Sequence, residues 1–288
     1  MYFNLDIAAA LMGTASYIVG DTSSKFVSEF FGNRTASITI MGVGILPALV
    51  ALLVFGASGY PNAYQIGLVA LSAFFLAAGY LLVYKSLETE QASNTLILFE
   101  ITPVVLVLFG SFALSERITF MQSVSMFAIF IGALCVITNV KQRFNKKLFP
   151  AIIGMVLWGA YAIPITYAIR GYGGFILPIL MVKVFSFAMV AAYLVLTRAH
   201  KGTVRKAPIK SSRKAVLAAI TSGVFDGIGM LMFGYIFLGS VIVLAGAISS
   251  MGPAFEMLLS HIFYKDRWTK LQFAGLVVMI VGAVALSL

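Results

Sequence analysis

The stretch of sequence that decides the fold occurs twice in this chain. PVVLVLFGSFALSERITFMQSVSMFAIFIGA occupies 103–133, and PAFEMLLSHIFYKDRWTKLQFAGLVVMIVGA occupies 253–283. The copies start 150 positions apart, at Pro103 and Pro253. The same offset relates Phe75 to Phe225, Gly79 to Gly229, Arg117 to Arg267, Gln122 to Gln272, Gly132 to Gly282 and Ala133 to Ala283. A common offset across three successive apolar segments predicts an internal duplication.

Around these copies the chain consists almost entirely of apolar segments. Of its 288 residues 61% are hydrophobic and 10% are charged, and its mean hydropathy is +1.01, far outside the composition of soluble proteins. A segment of about 20 apolar residues crosses a bilayer as a helix. We therefore predict an all-α integral membrane protein with ten transmembrane helices. The predicted spans are 4–30, 35–56, 64–85, 92–114, 118–139, 148–169, 175–197, 213–236, 240–263 and 268–288.

The duplication divides the ten spans into two halves of five helices, which we place at 1–145 and 146–288. Because five is an odd number, the second half enters the membrane from the opposite side, and the halves form two inverted five-helix repeats. Inverted repeats recur in secondary transporters, where the two halves open alternately to either side of a shared central site. The sequence therefore predicts a transporter.

Both copies carry a pattern that is similar to a family signature. The first reads Pro103, an apolar run, Leu114-Ser115-Glu116-Arg117-Ile118, Gln122 and Gly132; the second reads Pro253, Tyr264-Lys265-Asp266-Arg267-Trp268, Gln272 and Gly282. Trp158-Gly159 in the sixth span adds a W-G pair, whose first-half counterpart is the weaker Met12-Gly13. These residues resemble the drug/metabolite transporter (DMT) superfamily and, more narrowly, its EamA-type ten-helix exporters.

The resemblance implies a fold and an activity. It implies a central cavity lined mainly by the first four helices of each half, and a fifth helix that commonly supports dimer contacts. It implies export of a small solute whose identity varies across the superfamily. The family often has an Arg at the start of the second helix of a repeat. Lys183 is the equivalent in the second half, whereas the first-half region around Gly42 is uncharged, so the two halves contribute unequally to a charged site.

Ionisable side chains within the spans are the first candidates for a substrate site. Each costs about 2.5–3.5 kcal/mol on insertion into a bilayer, so it faces a cavity or a partner. Glu100, Lys183 and Asp226 lie near the middle of their predicted spans. Glu100 either binds a substrate amine or a proton, or sets helix packing through a hydrogen bond. Lys183 either captures a substrate carboxylate or pairs with Asp226 or Glu100 as a structural bridge.

Three further features leave alternatives open. Tyr80, Trp158 and Tyr161 offer amphipathic surfaces to an organic solute, or fill the core like other aromatic residues of this chain. One lysine cannot neutralise all the deep carboxylates, and a desolvated carboxylate is able to exchange protons, which leaves a coupling proton open. Asp21 and Lys25 interrupt the first span at a depth that the sequence does not decide.

Other classes of function find little support. A single Cys and two His on separate segments, His200 and His261, exclude a disulfide framework and a clustered metal site. The chain lacks the common hydrolase and phosphate-loop motifs. We predict no enzymatic activity, no metal and no cofactor. The net charge of +10 comes from basic loops between spans, which indicates no nucleic acid partner. A membrane channel or lipid-handling protein is the alternative.

The orientation in the membrane receives two conflicting predictions. Of the 20 Lys and Arg residues, all but Arg117, Arg170 and Lys183 lie in or beside loops that follow odd-numbered spans. The positive-inside rule then places both termini outside the cytoplasm, whereas the resemblance implies cytoplasmic termini. We predict the cell membrane of a prokaryote as the location, a lipid bilayer and a small-molecule substrate as partners, and leave a homodimer open. An amino acid, bound at its two ends by Glu100 and Lys183, is the narrowest guess at the substrate.

Overall fold

The computed structural model describes residues 2–87, 101–116, 118–137, 149–200, 213–239, 242–264 and 269–286. In these ranges the chain forms helices joined by short turns, and no strand occurs. The helices are α1 (Tyr2–Phe31), α2 (Asn33–Val43), α3 (Ile45–Phe55), α4 (Ala63–Leu87), α5 (Ile101–Ala113), α6 (Phe120–Ile137), α7 (Phe149–Ala160), α8 (Ala162–Tyr172), α9 (Ile176–His200), α10 (Arg213–Gly239), α11 (Ile242–Ser249), α12 (Gly252–Tyr264) and α13 (Lys270–Leu286). The all-α prediction is confirmed for this part of the chain.

Five stretches of helix are long and apolar enough to cross a membrane. They are Thr35–Phe55, Ala63–Val83, Phe149–Tyr172, Ile176–Thr197 and Arg213–Gly239. Each agrees with a predicted span to within a few residues. Shorter apolar helices cover Thr102–Ala113, Phe120–Cys135 and Lys270–Ala285, and α1 covers the predicted first span. The chain is a multi-pass membrane protein, and the exact number of ten spans remains a prediction.

Three of the predicted spans are each divided into two helices near their middle. Proline explains all three divisions, because it has no N–H to donate and its ring clashes with the carbonyl of the fourth residue before it. In each span the residue at the break comes three positions before a proline. The pairs are Gly44 and Pro47, Tyr161 and Pro164, and Ser250 and Pro253. Each of these predicted spans is therefore interrupted near its middle.

Helices from the two predicted halves pack against one another in related pairs. The helix α1 packs along α10, and α4 packs along α7 and α8. The offset of 150 residues equates α1 with α7 and α8, and α4 with α10, so these two contacts are equivalent under the duplication. The pair α6 with α13 joins a helix to its own counterpart, whereas α5 packs against α11 although the offset equates α5 with α12. The first two contacts are compatible with the predicted repeat, which stays a prediction.

Glycine allows some of these helices to approach closely. A Cβ atom built on Gly79 in α4 lies 2.9 Å from the carbonyl oxygen of Gly154 in α7, and one built on Gly154 lies 2.9 Å from the carbonyl oxygen of Gly79. Since both neighbours are backbone atoms, a side chain at either position has no room. Gly67, on the same helix as Gly79, has no atom within 4 Å of its Cβ position. Of these three glycines, Gly79 and Gly154 are needed for helix packing and Gly67 is not.

The two glutamines of the duplicated stretch have the same role. The Thr119 backbone N–H donates to Oε1 of Gln122 at 2.9 Å, and the Gln122 N–H donates to Oγ1 of Thr119 at 3.2 Å. Thr269 and Gln272 repeat both bonds, at 3.0 and 3.3 Å. Each pair is a capping box at the start of a helix, which satisfies backbone donors that the helix cannot. The occurrence of glutamine at both position 122 and position 272 therefore has a structural reason.

Candidate functional site

A cavity lies within the membrane-spanning helices of the described part of the chain. It contains about 690 Å³ of empty space, which includes the volume at its open mouth. Its walls come from α1, α5, α7, α10, the residue that joins α7 to α8, and the junction of α11 and α12. Both predicted halves therefore contribute to it.

Aromatic rings form a continuous wall on one side of this cavity. The ring centroids of Tyr17 and Phe233 lie 5.6 Å apart, those of Phe233 and Phe237 lie 6.2 Å apart, and those of Phe237 and Tyr161 lie 6.5 Å apart. All four residues line the cavity, as does Trp158. The wall is built from α1, α10 and the break between α7 and α8. These rings give the cavity an aromatic lining.

Polar groups also line the cavity. Asp21 of α1 is the acidic residue among the described lining residues, and it is partly exposed. Besides the hydroxyls of Tyr17 and Tyr161, the lining includes three Thr and Ser hydroxyls, and each of these three donates its proton to a backbone carbonyl. Thr14 donates to Ala10 at 2.8 Å, Thr102 to Met155 at 3.4 Å and Ser249 to Gly246 at 2.8 Å. The lone pairs of these hydroxyl oxygens remain for a ligand.

A buried polar cluster lies behind the cavity. Lys183 of α9 is 2% exposed and forms an ion pair with Oδ2 of Asp226 in α10. Tyr80 of α4 donates a hydrogen bond of 2.9 Å to Oδ1 of the same carboxylate. The Tyr80 ring lies 4.8 Å, between centroids, from the ring of Trp158. A direct chain of contacts therefore runs from the cavity wall through Tyr80 to the ion pair.

Small residues let the backbone close around Asp226. A Cβ atom on Gly44, at the break between α2 and α3, lies 3.0 Å from Oδ2 of Asp226. A Cβ atom on Gly20 of α1 lies 3.3 Å from the Asp226 nitrogen. Ser222, one turn earlier in α10, donates a hydrogen bond of 2.8 Å to the Gly20 carbonyl. This packing keeps the ion pair inside the protein and away from lipid.

A second set of polar contacts lies where α5, α8 and α10 end and α11 begins. Both carboxylate oxygens of Glu116 accept N–H groups at the start of α11, from Ile242 at 3.0 Å and Val243 at 2.9 Å. Arg170 lies 3.5 Å from Glu116 and donates to the Phe237 carbonyl at 3.1 Å. A carboxylate at a helix N-terminus is favoured by the helix dipole and by its free N–H groups. We call Glu116, Arg170 and the start of α11 the end clasp.

The structure places most of the sequence-predicted site residues in two neighbouring groups. Trp158 and Tyr161 line the cavity. Tyr80, Lys183 and Asp226 form the buried cluster, which is the arrangement that the structural-bridge alternative describes. Glu100 lies outside the described residues.

The sequence alone did not single out Tyr17, Thr14 and Asp21 as lining residues. Tyr17 and Thr14 lie in an apolar helix whose two faces look alike in sequence. Asp21 gave a signal, since an acid in the middle of a long apolar helix is costly unless it meets a polar surrounding.

Comparison with known proteins agrees with this architecture. The EamA-like transporter family matches residues 7–138. An uncharacterized protein of Methanocaldococcus jannaschii is 34% identical over 80 residues, which are 28% of this chain and 58% of that protein, so the match spans little more than half of the relative. A crystal structure described only as that of a protein shares 16% identity, covers 96% of each chain and superposes with a TM-score of 0.75. At that identity the likeness concerns the fold.

Proposed function

We propose that this chain carries a small organic metabolite or drug-like solute across a membrane by alternating access, because residues 7–138 match the EamA-like transporter family, whose members are transporters and not enzymes. We further propose that the direction is export. The observation that carries the proposal is the cavity between the two halves, about 690 Å³ in empty volume. It is placed within the spans, where a carrier must bind its solute.

The relation between the halves supports alternating access. We propose that 1–145 and 146–288 are inverted repeats. Two observations support this: the equivalent pairing of α1 with α10 and of α4 with α7 and α8, and the two capping boxes 150 residues apart. Repeats that pack in exchangeable pairs can adopt two mirrored arrangements around one site.

The end clasp supports a closed state at one end of the cavity. Glu116 comes from the first half, whereas Arg170, Ile242 and Val243 come from the second, so these bonds join the halves. Tyr167 adds a hydrogen bond of 3.0 Å from its hydroxyl to the Ala113 carbonyl. All these groups lie at helix ends. We propose that the clasp breaks when that end opens.

The narrower points of the proposal rest on the sequence. We propose a prokaryotic cell membrane as the location. Coupling of transport to a proton and the formation of a homodimer are left to measurement. The amino acid proposal required Glu100 and Lys183 to read opposite ends of one molecule. Lys183 is bound to Asp226 and is not among the residues that line the cavity. The substrate is better sought from the cavity walls themselves.

Counterflow in proteoliposomes tests the proposed function. Purified protein is reconstituted with a panel of unlabelled metabolites inside the vesicles, and uptake of the corresponding labelled solute is followed. A carrier gives saturable uptake that is accelerated by solute on the opposite side. Large ion currents that do not saturate indicate the channel alternative and contradict the proposal.

A pair of variants links the flux to the cavity. Trp158→Leu removes an aromatic wall and should lower the uptake, because its ring lines the cavity. Tyr64→Leu changes an aromatic residue that is 71% exposed and lies outside the cavity lining, and it should leave uptake unchanged. Equal loss in both variants contradicts the assignment of the cavity as the solute site.

A further inference from the structure

We propose that the solute of this cavity is an organic cation, namely a protonated amine that carries an aromatic or aliphatic body. The inference rests on the proposed function and names its substrate class. It follows from three independent properties of the walls: their charge, the direction of their hydrogen bonds and their aromatic faces. Each property favours a positively charged ligand that donates hydrogen bonds.

The charge of the lining is the first property. Among the described residues that line the cavity, Asp21 is the acidic one, and none is Lys, Arg or His. Lys183 lies behind the wall, 2% exposed and bound to Asp226. A carboxylate group on the solute therefore meets no cationic partner in the described lining. Burying an unpaired charge in a low-dielectric site is costly, so an anionic solute is disfavoured in this lining.

The direction of the hydrogen bonds is the second property. Thr14, Thr102 and Ser249 each use their single hydroxyl proton on a backbone carbonyl. A hydroxyl whose proton is used keeps lone pairs that accept hydrogen bonds. The nitrogen of Pro253 has no N–H, so the carbonyl of Ser249, four residues earlier, also lacks its usual helical donor. These three hydroxyls and the Ser249 carbonyl supply acceptors, which suit the N–H groups of an ammonium.

The aromatic faces are the third property. Tyr17, Phe233, Phe237 and Tyr161 follow one another at centroid distances of 5.6–6.5 Å. The face of an aromatic ring carries negative charge density and attracts cations, with an energy that grows when water is excluded. The same rings bury an apolar body. A wall of this kind beside Asp21 binds both ends of an amphipathic amine.

A matched series of solutes tests the substrate class. Phenethylamine, 2-phenylethanol and 3-phenylpropionate are similar in size and are cationic, neutral and anionic at neutral pH. Binding is measured on the full chain in nanodiscs, by the change in intrinsic fluorescence and in apparent melting temperature. We expect phenethylamine to bind at least tenfold more tightly than the other two. Equal or tighter binding of either 2-phenylethanol or 3-phenylpropionate overturns the inference, and so does the failure of all three to bind.

Variants of Asp21 locate the cation. Asp21→Asn should weaken phenethylamine binding by about tenfold to a hundredfold, the usual value of a charged hydrogen bond, and leave 2-phenylethanol unaffected. Asp21→Glu should restore most of the affinity, which separates loss of charge from misfolding. Asp6→Asn, on the same helix but outside the lining, serves as the control. Unchanged phenethylamine binding in a folded Asp21→Asn protein overturns the inference.

The outcome remains separable from that of the proposed function. If counterflow shows saturable transport of an anion or a neutral solute, the carrier proposal stands and the cation inference fails. If phenethylamine binds with the expected charge order but no solute shows counterflow, the cation site stands and the carrier proposal fails.

Discussion

Lys183 of α9 and Asp226 of α10 form an ion pair, and the hydroxyl of Tyr80 in α4 donates a hydrogen bond to the same carboxylate. Lysine occupies Oδ2 and the tyrosine hydroxyl occupies Oδ1 at 2.9 Å. Because the two charges cancel, burying the pair inside a membrane protein costs less free energy than burying either charge without its partner. These contacts hold α4 against the consecutive helices α9 and α10.

We expect the two residues of this pair to depend on each other. Lys183→Met leaves an unpaired buried carboxylate and Asp226→Leu an unpaired ammonium, and each should cost about 3–5 kcal/mol of stability. The double variant removes both charges, so its loss should be smaller than the sum of the single losses. The apparent melting temperature in detergent measures all three. Additive losses would show that the ion pair does not contribute as a unit.

The close approach of α4 and α7 predicts opposite effects of the same substitution on one helix. Gly79→Ala forces its Cβ atom to within 2.9 Å of the Gly154 carbonyl and should destabilise the protein by about 1–3 kcal/mol. Gly67→Ala meets no neighbour and should stabilise it by up to about 1 kcal/mol, because alanine favours helix. Thermal unfolding of the two variants measures the difference. A destabilised Gly67→Ala protein contradicts this account.

The end clasp predicts that Glu116 controls access from its own side. Glu116→Gln keeps the size of the side chain but removes the charge that faces the start of α11 and Arg170. The weaker clasp should open more often. A cysteine placed at Thr14, with Cys135 replaced by alanine, should then react faster with a membrane-impermeant thiol reagent added from the side that carries residue 116.

Two comparisons control this labelling experiment. The reagent added from the other side should react no faster than it does in the parent protein. Asp6→Asn, which neutralises a carboxylate that takes no part in the described clasp, should leave both rates unchanged. Equal labelling of the Glu116→Gln and parent proteins from the side of residue 116 excludes the clasp as a gate.

The capping boxes predict matched losses in the two halves. Thr119→Ala and Thr269→Ala each remove the oxygen that accepts the N–H of a glutamine at the helix start. Each should cost about 0.5–2 kcal/mol, and the two costs should be similar. Ser123→Ala is the control, because Ser123 donates to the Thr119 carbonyl and caps no N–H. A loss confined to one half would mean that the boxes are not equivalent.

Much of the helical framework follows from the sequence, because a lipid bilayer requires each crossing segment to be helical and to have about the same length. The predicted span 213–236 agrees with the observed Arg213–Gly239, and 35–56 agrees with Thr35–Phe55. The regularity at 150 residues has a visible cause in the capping boxes at Gln122 and Gln272. Length and apolar composition carry this information without any knowledge of the neighbours of a helix.

The faces of the helices are harder to predict. The sequence left Lys183 with two partners and two roles, since the choice depends on helix rotation and not on depth. Tyr17 lies in a helix without a distinct polar face, so no periodicity separates a cavity face from a lipid face. The end clasp was equally hidden, because Glu116 and Ile242 are 126 positions apart. Such contacts depend on packing between distant segments.

The proline breaks at Gly44, Tyr161 and Ser250 also affect how this protein can move. A straight helix tilts as a rigid body, so its two ends move in opposite directions at the two membrane surfaces. A span with a bend at mid-depth is free of that constraint, and its upper and lower lengths can swing independently. Under the alternating access proposed above, opening the cavity to one side would then require separating only half of the interhelical surface, with the remaining half serving as a fixed base.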